Sequence, residues 1–178
     1  TTWSRGLGDV YKRQPKYGSI NIHSSLLPKY RGAAPIQHAL LNQEDSTGVS
    51  TFLIEPKVDT GKIIDQLKIV ITKDDNYGSL SKKLSEAGAG LIESSINKCL
   101  HHSSELTEQN NSMATLAPKI SKEDLKINWN NKSDIILAQV KAFSPTPGAF
   151  TTINSKRLKI FKAESINNDN NHKIGSIY

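Results

Sequence analysis

Cysteine is nearly missing from this chain. Cys99 is the single one among 178 residues. No intrachain disulfide and no cysteine-based zinc site can come from one thiol, which fits a reducing compartment. Cys99 sits in an apolar-periodic stretch and reads as a small buried hydrophobe. No apolar run reaches the length of a membrane span. No basic segment leading into an apolar one opens the chain, so a secretory signal is not expected. A strong excess of one charge is missing too: 23 Lys and Arg stand against 17 Asp and Glu, a net +6. That mild bias is compatible with a phosphate-bearing or nucleic-acid partner and equally with many soluble proteins. His101 and His102 are adjacent, so they point apart, and metal partners near them are lacking; no metal site is expected.

The two ends do not match the rest. TTWSRGLGDVYKRQ, residues 1 to 14, has no clear period and does not lead into the pattern after it, so it reads as non-native and is set aside. KIGSIY stops within what reads as a strand. The expectation is a fragment lacking both ends. Its length allows one domain, or one domain and part of another.

Between these ends the pattern is regular. Ser19 to His23 alternates, with Ile20 and Ile22 on one face and Asn21 and His23 on the other. Pro28 and Gly32 punctuate a loop. Residues 34 to 43 read as a helix with Pro35 in its first turn, the unit ending at Thr47-Gly48. Residues 49 to 55 and 65 to 72 read as strands, joined through a turn holding Asp59 and Gly61. Asp74 to Gly78 reads as a polar turn. From Ser79, the expected N-cap, to about Leu100 the leucines and isoleucines recur at three and four, which predicts one long helix. Residues 101 to 115 are polar and read as a linker. Residues 116 to 178 open a second unit: an extended piece, a helix over Ser133 to Phe143, a Pro147-Gly148 turn and a strand through RLKIFKAE. NNDNNH, residues 167 to 172, reads as a loop. The fold class expected is α/β with the start of a small β-rich domain after it.

Three residues of the first unit carry chemistry. Asn21 is a donor that never ionises and can hydrogen-bond a carbonyl oxygen as it gains negative charge. His23 titrates near neutral pH and can take a proton from an incoming nucleophile. A carboxylate such as Asp59 can hold that imidazole in one tautomer. The set suits attack of an amine on an acyl carbon. Each has a plainer reading: a solvated strand face for Asn21 and His23, a turn residue for Asp59, and no local feature that brings Asp59 to His23. Ser25, Leu26, Leu27 and Pro28 could wall a pocket for a flat ligand or tuck into the core. Lys29, Tyr30 and Arg31 could steer an anionic substrate or form a solvated basic turn.

INIHSSLLPKYRGAAPIQHALLN followed by TGVSTFLIEPKVDTGKII resembles the methionyl-tRNA formyltransferases, the tRNA branch of the folate-dependent formyltransferases. The Asn, His and Asp stand in that family's order, with Asp59 38 positions after Asn21 (59 minus 21) and the D-T-G in register. LAPKISKEDLKINW and KAFSPTPGAF are similar to the start of the family's C-terminal domain, and the resemblance runs from about Pro15 to Tyr178. It implies the C-terminal half of a Rossmann-like formyltransferase domain over residues 15 to 100. Its parallel sheet would lack its central strands. A partial OB-like, tRNA-binding β-barrel would occupy residues 116 to 178. The resemblance implies 10-formyltetrahydrofolate as donor, the α-amino group of initiator methionyl-tRNA as acceptor, and no metal. Asn21 would stabilise the oxyanion, His23 would assist proton removal, and Asp59 would orient His23. Ser25, Leu26, Leu27 and Pro28 would line the folate site, and Lys29 and Arg31 would contact the tRNA. A monomer in the bacterial cytoplasm is expected, with an organelle as the alternative.

Two other readings stand beside it. A sugar-nucleotide N-formyltransferase would share Asn21, His23, Asp59 and the donor. RGAAPIQ and the second unit argue against it. A truncated remnant with weak, salt-sensitive RNA binding is the non-enzyme reading.

Overall fold

A computed structural model describes residue 15 and residues 18–101 and 106–166. The opening segment read as non-native, His102, the NNDNNH loop and KIGSIY all lie outside the described residues.

β1 (Ile20–His23), β2 (Ser46–Leu53) and β3 (Ile63–Val70) form one sheet in the order β1-β2-β3. Both pairings are antiparallel, with His23 opposite Ser50 and Val49 opposite Leu67. The parallel sheet implied by the resemblance is thus not what the described strands form. The connections account for this. Residues 54–62 turn the chain straight back from β2 into β3, and such a return gives an antiparallel pair. Residues 24–45 hold a helix, yet they re-enter the sheet at the end where β1 left it, so they make no crossover. β2, the central strand, is buried from Thr47 to Phe52.

β2 starts three residues earlier than the sequence pattern suggests, so Thr47 and Gly48 lie inside a strand instead of ending a unit. Gly48 is there for close approach. A Cβ at that position would fall 2.3 Å from the Leu67 carbonyl oxygen and 2.5 Å from Leu26 Cδ2.

α1 (Pro35–Leu41) begins on Pro35, whose fixed φ and missing N–H cost nothing in a first turn. α2 (Tyr77–His101) starts two residues before the expected Ser79. Asn76 is the cap: its Oδ1 accepts from the Ser79 amide at 3.0 Å, and Ser79 Oγ accepts from the Asn76 amide at 3.1 Å. Ser79 therefore supplies the returning half of a reciprocal cap. α3 (Ser133–Phe143) matches the expected range. β4 (Ala149–Ile153) and β5 (Lys156–Ile160) form a separate antiparallel pair.

One core joins the two halves of the sequence. Ile36 and Leu40 of α1, Val49 of β2, and Leu80 and Leu84 of α2 pack with Ile127, with Val140 and Phe143 of α3, and with Ala149 of β4. Phe143, Leu80 and Val49 have no exposed surface. Each such side chain contributes about 1.5–3 kcal/mol of burial. A smaller cluster of Leu27, Phe52 and Ile63 lies apart from this core. Residues 107 to 117, which include most of the expected polar linker, run back along the first unit. Thr107 and Ile63 exchange two backbone hydrogen bonds at 2.8 and 2.9 Å, and Ala117 donates to the Arg31 carbonyl at 2.7 Å.

Candidate active site

β1 divides its side chains as its period of two requires. Ile22 lies against Gly88 of α2, while His23 stands edge-on to Phe52 with ring centroids 6.4 Å apart. His23 is buried and Asn21 is exposed.

The backbone fixes both side chains before any substrate arrives. Asn21 Oδ1 accepts from the Ile22 amide at 2.9 Å, so its NH2 group is left to donate outward. His23 Nε2 lies 2.8 Å from the Tyr30 carbonyl oxygen. A carbonyl only accepts, so Nε2 carries a proton, and a neutral His23 keeps its lone pair on Nδ1. Nδ1 faces Asp59 Oδ2 at 3.6 Å. The structure therefore brings Asp59 to His23, which nothing local in the sequence indicates.

Asp59 is held in an unusual conformation, with φ at +52°. Its Oδ2 accepts from the Gly32 amide at 2.8 Å. Gly32 itself has φ at +124°, and a Cβ there would sit 2.6 Å from the Ala117 carbonyl oxygen, so no other residue could present that amide. Asn21, Phe52 and Asp59, with the 54–58 turn, line a cleft of about 200 Å³.

Three of the four residues expected to line a folate site border a different cavity. Leu26, Leu27, Pro28 and Lys29 line a second cavity of about 330 Å³, together with Tyr30 and Met113. Ser25 lines neither. It is fully buried, its Oγ donating to the Lys29 carbonyl at 2.6 Å and its carbonyl accepting from Ser50 Oγ at 2.6 Å, so it closes the turn. Arg31 is not a surface cation. It is buried, and its guanidinium donates to Gln109 Oε1 and Asn111 Oδ1. Lys29 is half-exposed, 3.8 Å from Glu44. Tyr30 anchors this turn through its hydroxyl, which donates to Glu44 Oε1 at 2.6 Å. Burial, with that carboxylate beside it, pushes its phenol above the usual range.

Sequence reasoning misses Gln109, the Tyr30 carbonyl and the Gly32 amide. The two backbone groups carry no side-chain signal. Gln109 stands in a stretch whose polarity suggests exposure.

Profiles of known families match both parts of the chain: the one described as "Formyl transferase" covers residues 1–96, and "Formyl transferase, C-terminal domain" covers 119–178. The chain belongs to the formyl transferase family. The first match includes residues 1–14, the segment set aside as non-native. A methionyl-tRNA formyltransferase of Dictyoglomus turgidum is 47% identical over 150 residues, 84% of this chain and 48% of the relative. One of Staphylococcus aureus is 39% identical over 163 residues, 92% of this chain and 52% of the relative. The chain thus spans about half the length of the curated relatives it matches. Among solved structures, an N-formyltransferase from Helicobacter canadensis, in complex with folinic acid and dTDP-3-aminofucose, is 30% identical with a TM-score of 0.63, over 80% of this chain and 52% of that one. HypX from Aquifex aeolicus, in complex with tetrahydrofolic acid, shares the fold at a TM-score of 0.72 and 19% identity, over 86% of this chain and 26% of that one. Among the described residues no helix is long and apolar enough to cross a membrane, and no three His, Cys, Asp or Glu side chains gather as metal ligands.

Proposed function

We propose that this chain carries the reacting centre of a methionyl-tRNA formyltransferase, moving a formyl group from 10-formyltetrahydrofolate to the α-amino group of initiator methionyl-tRNA. The observation that carries the reading is the His23–Asp59 pair beside the outward-facing Asn21 amide. The 47% and 39% identical relatives favour methionyl-tRNA as acceptor. In this reading residues 15 to 100 are the later part of a Rossmann-like domain. The β4–β5 pair opens an OB-like barrel that contacts tRNA. The setting is the bacterial cytoplasm, in keeping with relatives from bacteria.

The amine nitrogen attacks the formyl carbon, and the carbonyl oxygen takes up negative charge. Asn21 donates from its NH2 group to that oxygen, a contact stronger in the transition state than before it. The attacking amine must lose a proton. His23 offers Nδ1, its free lone pair, on the side where Asp59 stabilises the imidazolium that results. The proton then passes to the departing folate nitrogen as the carbon–nitrogen bond to it breaks, which balances the transfer without a metal. The α-amine has a reference pKa of about 8, so a base of modest strength is enough.

A second reading, transfer to an amino-sugar nucleotide, is favoured by the Helicobacter neighbour and its dTDP-sugar. One assay separates the two. The gene product carrying this chain at the length of its relatives is given radiolabelled 10-formyltetrahydrofolate and either methionyl-tRNA or a dTDP-amino-sugar. Label in the tRNA alone is the expected result. Label in the sugar alone would replace the proposal with the second reading, and label in neither would remove both.

A further inference from the structure

We infer that Gln109 is a positioning residue that sets the geometry of the His23–Asp59 pair, an inference that rests on the formyl-transfer reading above. Its amide is buried and fully committed. Oε1 accepts from Arg31 Nε at 3.0 Å and from Arg31 Nη2 at 2.6 Å. Nε2 donates to the Asp59 carbonyl at 2.9 Å and to the Gly61 carbonyl at 2.7 Å. Two donors and two acceptor sites are all that a glutamine side chain has, and all four are used.

Those four bonds converge on one residue from two directions. The Nε2 bonds clamp Asp59 at its own carbonyl and at the carbonyl two residues on, across the backbone that holds φ at +52°. A non-glycine residue keeps such a conformation only where its surroundings impose it. The Oε1 bonds hold Arg31, whose neighbour Gly32 donates its amide to Asp59 Oδ2. Gln109 therefore fixes the Asp59 carbonyl directly and the Asp59 carboxylate through Arg31 and Gly32. The segment that bears Gln109 is tied down in turn. Thr107 pairs with Ile63, and the Arg31 amide donates to the Thr115 carbonyl at 2.9 Å.

A glutamate at this position would keep the volume and still accept from Arg31 but could not donate to the two carbonyls. Gln109→Glu therefore removes the direct clamp on the Asp59 backbone alone, which is enough to loosen Asp59 from Gly32, and Gln109→Ala removes both directions. It is tested in the full-length protein against wild type, with Gln109→Ala beside it. We expect kcat to fall about 100-fold in both variants, the cost of a displacement near 1 Å at a reacting group. KM for donor and acceptor should move less than about threefold, and Gln109→Glu should melt within a few degrees of wild type. The Gly32 amide proton, read by NMR without substrate, should move upfield in both variants as its bond to Asp59 loosens. An unchanged kcat and an unmoved Gly32 amide in a folded Gln109→Glu protein would overturn the inference. So would a Gln109→Glu protein that does not fold, because the residue would then be a requirement of the fold. The NMR reading needs no acceptor. A wild type that formylates nothing would sink the functional reading while the Gly32 signal still judged this one.

Discussion

Asp59 and Asp75 are both carboxylates with little exposed surface, 13% and 3% of their side chains, yet they are held in opposite ways. Asp75 is saturated. It accepts from the Thr72 amide and hydroxyl, from Ser79 Oγ and from Lys83 Nζ, all at 2.7–2.8 Å. Burial alone would raise its pKa, but the Lys83 ammonium and the Thr72 and Ser79 donors outweigh it and hold the carboxyl at about 2. Among the described residues, Asp59 has one amide donor on its carboxylate and an imidazole edge at 3.6 Å. A carboxylate that already accepts from four donors stabilises the fold and can do little else. One left partly unsaturated beside a histidine has capacity to spare for a charge that develops during a reaction.

The sharpest way to break that comparison is at its reactive end. His23→Ala should reduce formyl transfer by about 10²–10⁴-fold while the protein still folds and still binds folate, measured by single-turnover transfer and folate titration. Loss of folding instead of rate would put His23 with Asp75 among the structural groups. Asn21→Ala should lower kcat by about 10²–10³-fold with little change in melting temperature, because its amide is exposed and its internal bond is to the neighbouring backbone.

Asp75→Asn should do the reverse, leaving kcat near wild type and lowering unfolding free energy by about 2 kcal/mol in a denaturant titration. The pH dependence has a definite sign. Asp75 binds its proton at about 2 when folded, against an ordinary value of 3.8 when unfolded. Its stabilisation is therefore complete above the unfolded value and is lost as pH falls from about 3.8 towards 2. Asp75→Asn should flatten that part of the stability curve.

The smallest effect is expected on the β4–β5 pair, whose basic residues Lys156, Arg157 and Lys159 are exposed. Lys159→Ala should leave stability and kcat alone. It should weaken tRNA binding modestly and lower the slope of log affinity against log salt by about 1. An unchanged slope would remove that residue from the acceptor surface.

Much of this architecture is written in local pattern. The period of two in β1 separates Ile22 from His23, and leucine spacing marks α2 almost to its ends. Where local pattern misleads, a local signal has a distant cause. Gly48 reads as punctuation because glycine often is, but Leu26 and Leu67 crowd it from other segments. Ser79 reads as a cap because the true cap, Asn76, is also a turn former. Residues 101 to 115 read as a linker because they are polar. Polarity predicts exposure only where bonding partners are missing, and those of Gln109 lie 48 to 78 positions away in sequence. The His23–Asp59 contact is invisible in local pattern for the same reason, and only the family resemblance points to it.

The core that α1 and α3 share runs across the gap between the two family matches. Those matches divide the chain into two regions, but Ile36 and Leu40 pack with Val140 and Phe143 as one hydrophobic unit. The C-terminal region is consequently a poor module for exchange. Grafting it onto another formyltransferase would require α1 of the host to change with it, and heating should melt both regions in a single transition.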